Sequence, residues 1–404
     1  MNILQITNYQ CASMSANDNT GINRVVTALS NYYVTSCGNV CYNAYYQKNP
    51  SGQAELFSNG LQLTIPLATD VFKRFLTDNG IDIIVINVSN IEYVMEIHNI
   101  NAIAHQCNVK TIYCIHFMPG YEACSYADFS LVRYNITHGT NCFDTLKKWI
   151  ISFCRPVSTK VIQKVIRKHY SLPLSSCDKV VVFSTPYIQR YLDIARTNNR
   201  EKFAVIPNPL PFDSFLDNDE LICKEKEVIV VGRLFEHQKR LSYALHVWRM
   251  VEQNPELQDW HLSIIGDGVS GSYYRWLAHK LKLRNITFTG KQDPQPYYKK
   301  ASILLSTSIY EGWPMVLMEC MPMGVVPCVF NSYESATEII DHNQNGIAVS
   351  ENNLKAYYEC LKELMLNRTK CLSMASAAIE KSRSFNIDRI GDYWQALFRN
   401  CREC

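Results

Sequence analysis

No stretch of the 404-residue sequence offers the roughly 18 consecutive apolar residues that a bilayer-spanning helix needs. The opening MNILQITNYQ has neither the basic segment nor the apolar core of a signal peptide. Charge of one sign is scarce as well. The 40 Lys and Arg stand against 37 Asp and Glu, a formal net charge of +3 that argues against nucleic acid as a partner. With 16 Gly and 15 Pro the chain is neither collagen-like nor dominated by linkers. It has no GxxxxGK[ST], which sets aside a P-loop nucleotidase, and no repeat at a fixed short period. Asp-x-Asp occurs only as Asp217-Asn-Asp219, away from any expected strand end, so no metal is expected.

What is present is globular: 47% apolar and 19% charged residues, with length for two or three domains. The 16 Cys are scattered, and many sit in apolar runs, as Cys114 does in TIYCIHF and Cys328 in VVPCVF. That pattern suits small buried hydrophobes in a reducing compartment, so the expected location is the cytoplasm. Cys401 and Cys404 have no second pair at zinc-site spacing.

Apolar, β-rich runs alternate with helical periods from end to end. The first series is Asn2–Asn8, Val40–Gln47, Asp82–Ser89, Thr111–Met118 and Lys179–Thr185; the second is Glu227–Leu234, His261–Gly266, Ile286–Gly290, Ile303–Ser308 and Val325–Phe330. Unbroken Val/Ile runs such as IDIIVINV and EVIVV suit strands covered on both faces of a parallel sheet. Between them, Ile22, Val25, Val26, Leu29 and Tyr33 keep one helical face, as do Leu241, Ala244, Leu245, Trp248 and Val251. The expected fold class is α/β with two doubly wound units. Pro207–Lys226, rich in Pro and charge, reads as the linker. The expected domains are residues 1–207, 227–383 and a closing amphipathic helix within 384–404, carrying Ile387, Ile390, Trp394, Leu397 and Phe398.

The strongest motif is Glu311-Gly-Trp-Pro-Met-Val-Leu-Met-Glu319, after the strand ILLSTSIY. Pro314 suits a first helical turn, which puts Glu311 in the preceding loop and Glu319 about 7.5 Å along the helix. Gly312 lets backbone approach a ligand, and a helix N-terminus favours phosphate. Two carboxylates there can accept hydrogen bonds from sugar and ribose hydroxyls. The same spacing also suits a surface Glu and a helix Glu paired with Lys. Val231-Gly-Arg-Leu-Phe-Glu-His-Gln-Lys239 likewise follows a strand, and Arg233 with Lys239 beside Gly232 would clamp a diphosphate. Ile264-Ile-Gly-Asp-Gly268 is a glycine turn centred on Gly266. Thr20-Gly-Ile-Asn-Arg24, holding Gly21, could approach a phosphate but is not a dinucleotide fingerprint. His116 closes the strand TIYCIH, at the end where α/β sheets bind ligands.

In that order and spacing, these motifs resemble glycosyltransferase family 4, whose members have the GT-B fold of two Rossmann-like domains facing a cleft. The resemblance covers nearly the whole chain and is densest from Val228 to Leu366. It implies that Arg233 and Lys239 hold the donor diphosphate, and that Glu319 binds the ribose. Glu311 would sit near the donor sugar, His116 would face the transferred sugar, Gly21 would open the phosphate side, and Lys291 would lie near the base. It further implies a last helix returning to the first domain, retention of anomeric configuration and no metal. Two departures stand out: a single Gly in the first loop, and Arg240 where relatives commonly carry Gly.

The expected function is transfer of a hexose from a nucleotide-diphosphate sugar to a glycan or lipid-linked acceptor in surface polysaccharide synthesis. An epimerase of the same fold and a non-catalytic sugar-nucleotide binder are the alternatives. One more segment bears on partners. Between Thr145 and Cys177 lie Lys147, Lys148, Arg155, Lys160, Lys164, Arg167 and Lys168, and no acid. The last four share a helical face opposite Val161, Ile162, Val165 and Ile166. Such a stretch suits peripheral contact with an anionic membrane, or an ordinary helix packed on the sheet.

Overall fold

The Val/Ile runs form parallel strands because a crossover helix follows each, covering the sheet and sparing it a wet face. The structure, a computed structural model, describes residues 1–8, 21–46, 55–57, 60–88, 91–123, 131, 134, 137 and 155–403. Thr20, Lys147 and Lys148 lie outside the described residues, as do the side chains of Arg155, Lys160, Val161 and Ile162. The chain divides into two compact units: Met1–Gly120 with Ile162–Pro211 and Phe385–Cys404, and Tyr121–Val161 with Phe212–Ser384.

The first unit holds an eight-stranded sheet. Its strands are β1 (Asn2–Thr7), β2 (Val40–Tyr46), β3 (Glu55–Phe57), β4 (Gly60–Leu63), β5 (Ile83–Asn87), β6 (Lys110–Cys114), β7 (Lys179–Val182) and β8 (Phe203–Val205). They lie in the order β3-β4-β2-β1-β5-β6-β7-β8. All pair in parallel except β3 with β4. The winding reverses between β1 and β5, so the carboxyl ends of these strands flank a switch point. Ile3, Leu4, Ile6 and Ile83–Ile86 are buried, as both-face coverage requires.

The helix Gly21–Thr35 buries Val25, Val26, Leu29 and Tyr33. The closing helix, Ile387–Glu403, lies against it and buries Ile390, Trp394, Leu397 and Phe398. The Phe398 ring meets Tyr33 edge-on with centroids 5.3 Å apart, and the Tyr32 hydroxyl donates to Asp392 over 2.9 Å. Gly391 makes room for Tyr32, since a Cβ there would lie 2.1 Å from the ring. The last helix thus belongs to the first unit, as expected.

The second unit is a six-stranded, wholly parallel sheet of β9 (Glu225–Val231), β10 (His261–Ile265), β11 (Ile286–Gly290), β12 (Ala301–Ser306), β13 (Val326–Asn331) and β14 (Ile347–Ser350). The order β11-β10-β9-β12-β13-β14 places its switch point between β9 and β12. Ala244, Leu245, Trp248 and Val251 of the helix Leu241–Glu252 pack with Val228, Leu262, Ile303 and Val326. Cys114 and Cys328 are buried in the two sheets, and burial pushes both thiols up from their ordinary range.

Gly391→Ala puts a methyl group into the Tyr32 ring. Overpacking of this kind costs about 1–3 kcal/mol, more than the gain in helix propensity of about 1 kcal/mol. The thermal midpoint should fall, measured by calorimetry against Asp392→Asn, which leaves the ring its space.

Candidate functional site

At the second switch point the backbone itself is the scaffold. Gly232, just past β9, has φ +144°, and Gly266, just past β10, has φ +148°. A Cβ on Gly266 would lie 1.9 Å from the Gly232 carbonyl oxygen. Because there is none, the two turns lie backbone to backbone. Gly232 N–H donates to Ile265 over 3.0 Å, Leu234 N–H to Asp267 over 2.9 Å, and Gly266 N–H to Gly290 over 2.8 Å. Gly266 therefore serves the contact between the two turns. Gly266, Gly268 and Gly271 also spell G-x-G-x-x-G between β10 and the helix Gly271–Lys280, a pattern that sequence reasoning passed over. A Cβ on Gly268 would lie 2.5 Å from the Leu234 carbonyl oxygen, so close packing on the β9 turn accounts for this glycine as well.

The β9 turn carries Arg233 and Lys239, and the loop after β12 carries Glu311. The structure brings these three together. Lys239 Nζ lies 2.5 Å from Glu311 Oε1, in a pair largely withdrawn from solvent. Arg233 Nη2 donates to Gln238 Oε1 over 3.0 Å, and Gln238 Nε2 lies 3.4 Å from Glu311 Oε2 and from the Tyr310 carbonyl. Gln238 is buried, and sequence reasoning missed it. Its amide accepts from the guanidinium and donates towards the carboxylate at once. Its place one residue before Lys239 was the available signal.

The short helix Glu236–Lys239 is fixed from both sides. Ile309 N–H donates to the Gln238 carbonyl over 2.8 Å, and the Thr307 hydroxyl to the Lys239 and Arg240 carbonyls over 3.0 and 2.9 Å. Glu236, fully buried, accepts from the Ser242 hydroxyl and backbone. Arg240 has φ +46°, which explains why a Gly fits this position. The buried arginine tolerates it through polar and ring contacts. Nη1 donates to Asn352 over 2.7 Å and to Glu351 over 3.2 Å, and the guanidinium lies 4.5 Å from the Tyr243 ring centroid.

The helix bearing Glu319 runs Met315–Cys320, and Pro314 is its N-cap, one position earlier than expected. With six residues it supplies little macrodipole, so the phosphate-favouring helix end suggested by the sequence is weak. Glu319 is 4% exposed and accepts from the Tyr298 hydroxyl over 2.8 Å. Gly312 is buried beside Glu311, and Lys291 is exposed just past β11.

Gly21 and His116 belong to the first unit, Gly21 opening its helix. β6 stops at Cys114, two residues before His116, which therefore does not close the strand. His116 Nε2 lies 2.9 Å from Asn87 Oδ1, and the ring packs edge-on against Phe183. Burial lowers its pKa from 6.5 to about 3, so the ring is neutral. In the helix Arg155–Ser176, Lys164, Arg167 and Lys168 are exposed, and Val165 beside them is 47% exposed. Among the described residues no group of three or more His, Cys, Asp or Glu could hold a metal ion, and no helix is long and apolar enough to cross a membrane.

Residues 214–381 match the family model of glycosyl transferases group 1. Over 229 residues the chain is 28% identical to an uncharacterized glycosyltransferase of Haemophilus influenzae, covering 56% of this chain and 62% of that one. It is 26% identical over 253 residues to the amylovoran biosynthesis glycosyltransferase AmsD of Erwinia amylovora, covering 60% and 68%. The chain thus spans less than two thirds of the first of these relatives. Among solved structures, HepE of Anabaena in complex with UDP and glucose superimposes with a TM-score of 0.71 at 13% identity, over 99% of this chain and all of that one. The fold is GT-B, and the match to the glycosyl transferases group 1 model falls on its second unit.

Gly266→Ala should force the β9 and β10 turns apart and lower the thermal midpoint, measured by calorimetry. Gly290→Ala has open space around its Cβ, though φ +77° strains it, and should cost only the strain of about 1–2 kcal/mol.

Proposed function

We propose that the protein is a retaining glycosyltransferase that moves a hexose from a nucleotide-diphosphate sugar to a glycan acceptor, free or lipid-linked, in surface polysaccharide assembly. The observation that carries this reading is the convergence of Arg233, Lys239 and Glu311 through Gln238 at the β9 and β12 ends. Cleavage of a sugar–phosphate bond leaves negative charge on the nucleoside diphosphate. Two cations already held in place stabilise that charge without reorganising as it develops. Glu311 then accepts from hydroxyls of the donor sugar, and Glu319, oriented by Tyr298, from the ribose. Gly232 and Gly312 give the phosphates and sugar access to backbone, and Lys291 flanks the base. His116 meets the transferred sugar as a neutral group. The UDP-bound HepE and the amylovoran biosynthesis in the name of AmsD support the donor and pathway classes.

In this reading the protein works in the cytoplasm. The exposed Lys164, Arg167, Lys168 and Val165 give it a loose hold on an anionic membrane, where a lipid-linked acceptor would lie.

Nucleoside diphosphate release with a product of matching mass is the primary assay. Arg233→Ala and Lys239→Ala should each lower turnover by about 10²–10³, the cost of removing one preplaced donor. Turnover should survive EDTA. Wild-type rates in both folded variants would sink the clamp, and loss on chelation restored by magnesium would sink the metal-free reading. In vesicle sedimentation, changing Lys164, Arg167 and Lys168 to Gln should abolish salt-sensitive binding to anionic vesicles and leave turnover on a soluble acceptor unchanged.

A further inference from the structure

Two buried amides sit in apolar stretches of β1 and β5. Gln5 of β1 and Asn87 of β5 are 2% and 3% exposed. A buried amide is costly unless its hydrogen bonds are met, so both must be held by neighbours. Gln5 pairs with Val85, and Asn87 lies two residues further along β5. The strand period of two therefore puts both side chains on one face. There Asn87 Nδ2 donates to Gln5 Oε1 over 2.7 Å and reaches the Val85 carbonyl over 3.4 Å. A backbone carbonyl can only accept. The Asn87 NH2 is thus committed to that side, which turns Oδ1 towards His116 Nε2 at 2.9 Å. An amide oxygen can only accept as well, so Nε2 carries the ring proton and Nδ1 is left as the ring's acceptor.

We propose that Asn87, oriented by Gln5 and the Val85 carbonyl, is a positioning residue that locks His116 in the Nε2–H tautomer, making Nδ1 the acceptor for a hydroxyl of the transferred sugar. The proposal rests on the glycosyltransferase reading and deepens it at His116. The selectivity it confers is for an O–H donor, since a bare imidazole nitrogen repels a carbonyl or phosphate oxygen. The groups against the ring, Asn87 and Phe183, are neutral, and burial keeps it uncharged above pH of about 3. His116 thus acts by direction, and wild-type transfer should carry no limb from this residue between pH 5 and 8.

The test is ¹⁵N NMR of the full chain labelled at histidine, with His116→Gln to assign the signal. The wild type should show a single Nε2–H tautomer from pH 5 to 8. Asn87→Ala should show mixed tautomers. Asn87→Asp should bring the ring's titration into that pH range, because a carboxylate favours the imidazolium. In Asn87→Asp transfer should then be lost on the acid side, falling about tenfold per pH unit below the new pKa, and recover at pH 8. A merely structural Asn87 would lower activity equally at all pH values, and that outcome overturns the proposal. So does a wild-type His116 found as Nδ1–H or titrating between pH 5 and 8, whatever the activity. A locked tautomer with wild-type transfer by His116→Gln instead overturns the placement of His116 at the sugar. Loss of all transfer from nucleotide sugars by the wild type would overturn the glycosyltransferase reading itself, and is visible independently of the NMR result.

Discussion

The second unit depends on one close approach: the Gly232 carbonyl occupies the space that any side chain at position 266 would need. That contact lets the turns after β9 and β10 share hydrogen bonds, from Gly232 to Ile265 and from Leu234 to Asp267. The β9 turn in turn presents Arg233 and starts the helix that ends in Lys239. A loop free to wander would make a lysine there a diffuse charge. Pinned to β10 on one side and to Thr307 and Ile309 on the other, it becomes a fixed one. Fixed charge is what stabilises a developing anion, because none of the gain is spent on reordering.

The same rigidity explains why Lys239 and Glu311 meet. Two opposite charges held 2.5 Å apart and largely withdrawn from water would be costly singly and are tolerable together. Gln238 extends the arrangement to Arg233, giving a cation–amide–carboxylate–cation chain. In the proposed reading, a bound diphosphate would offer Lys239 a second anion. Glu311 can then turn its acceptor capacity to hydroxyls. The ion pair and the ligand therefore draw on the same groups.

Much of this was legible in the sequence, for physical reasons. Parallel strands buried on both faces write themselves as Val/Ile runs, so β1, β5, β9 and β12 were recognisable within a few residues. The short β3 and β4, and β14 with four residues, carry no such run and were missed. Arg233, Lys239 and Glu311 stood out because charged residues after strand ends are chemically conspicuous. Gln238 and Asn87 did not, because an amide acts only through what it touches, and contact is set by tertiary structure. Gly266 was recognised as a turn glycine, but its close approach to the Gly232 carbonyl was not, because that contact is set by tertiary structure. Pro314 was placed one residue too far into its helix, since a proline suits either the cap or the first turn.

The two units carry opposite chemistry at their proposed site residues. In the second, Arg233, Lys239, Glu311 and Glu319 are ionic, suited to a diphosphate and to hydroxyls that need strong acceptors. In the first, Gln5, Asn87 and His116 form a wholly neutral chain, in a site dry enough to depress the imidazole pKa to about 3. A cation at His116 would oppose the positive charge that gathers on a sugar as its bond to the leaving diphosphate breaks. A neutral ring with a directed lone pair does not. Burial excludes the imidazolium, and the amide chain determines which nitrogen keeps the proton. Both are consequences of Gln5 and Asn87 lying in apolar stretches of β1 and β5 rather than in a solvated loop.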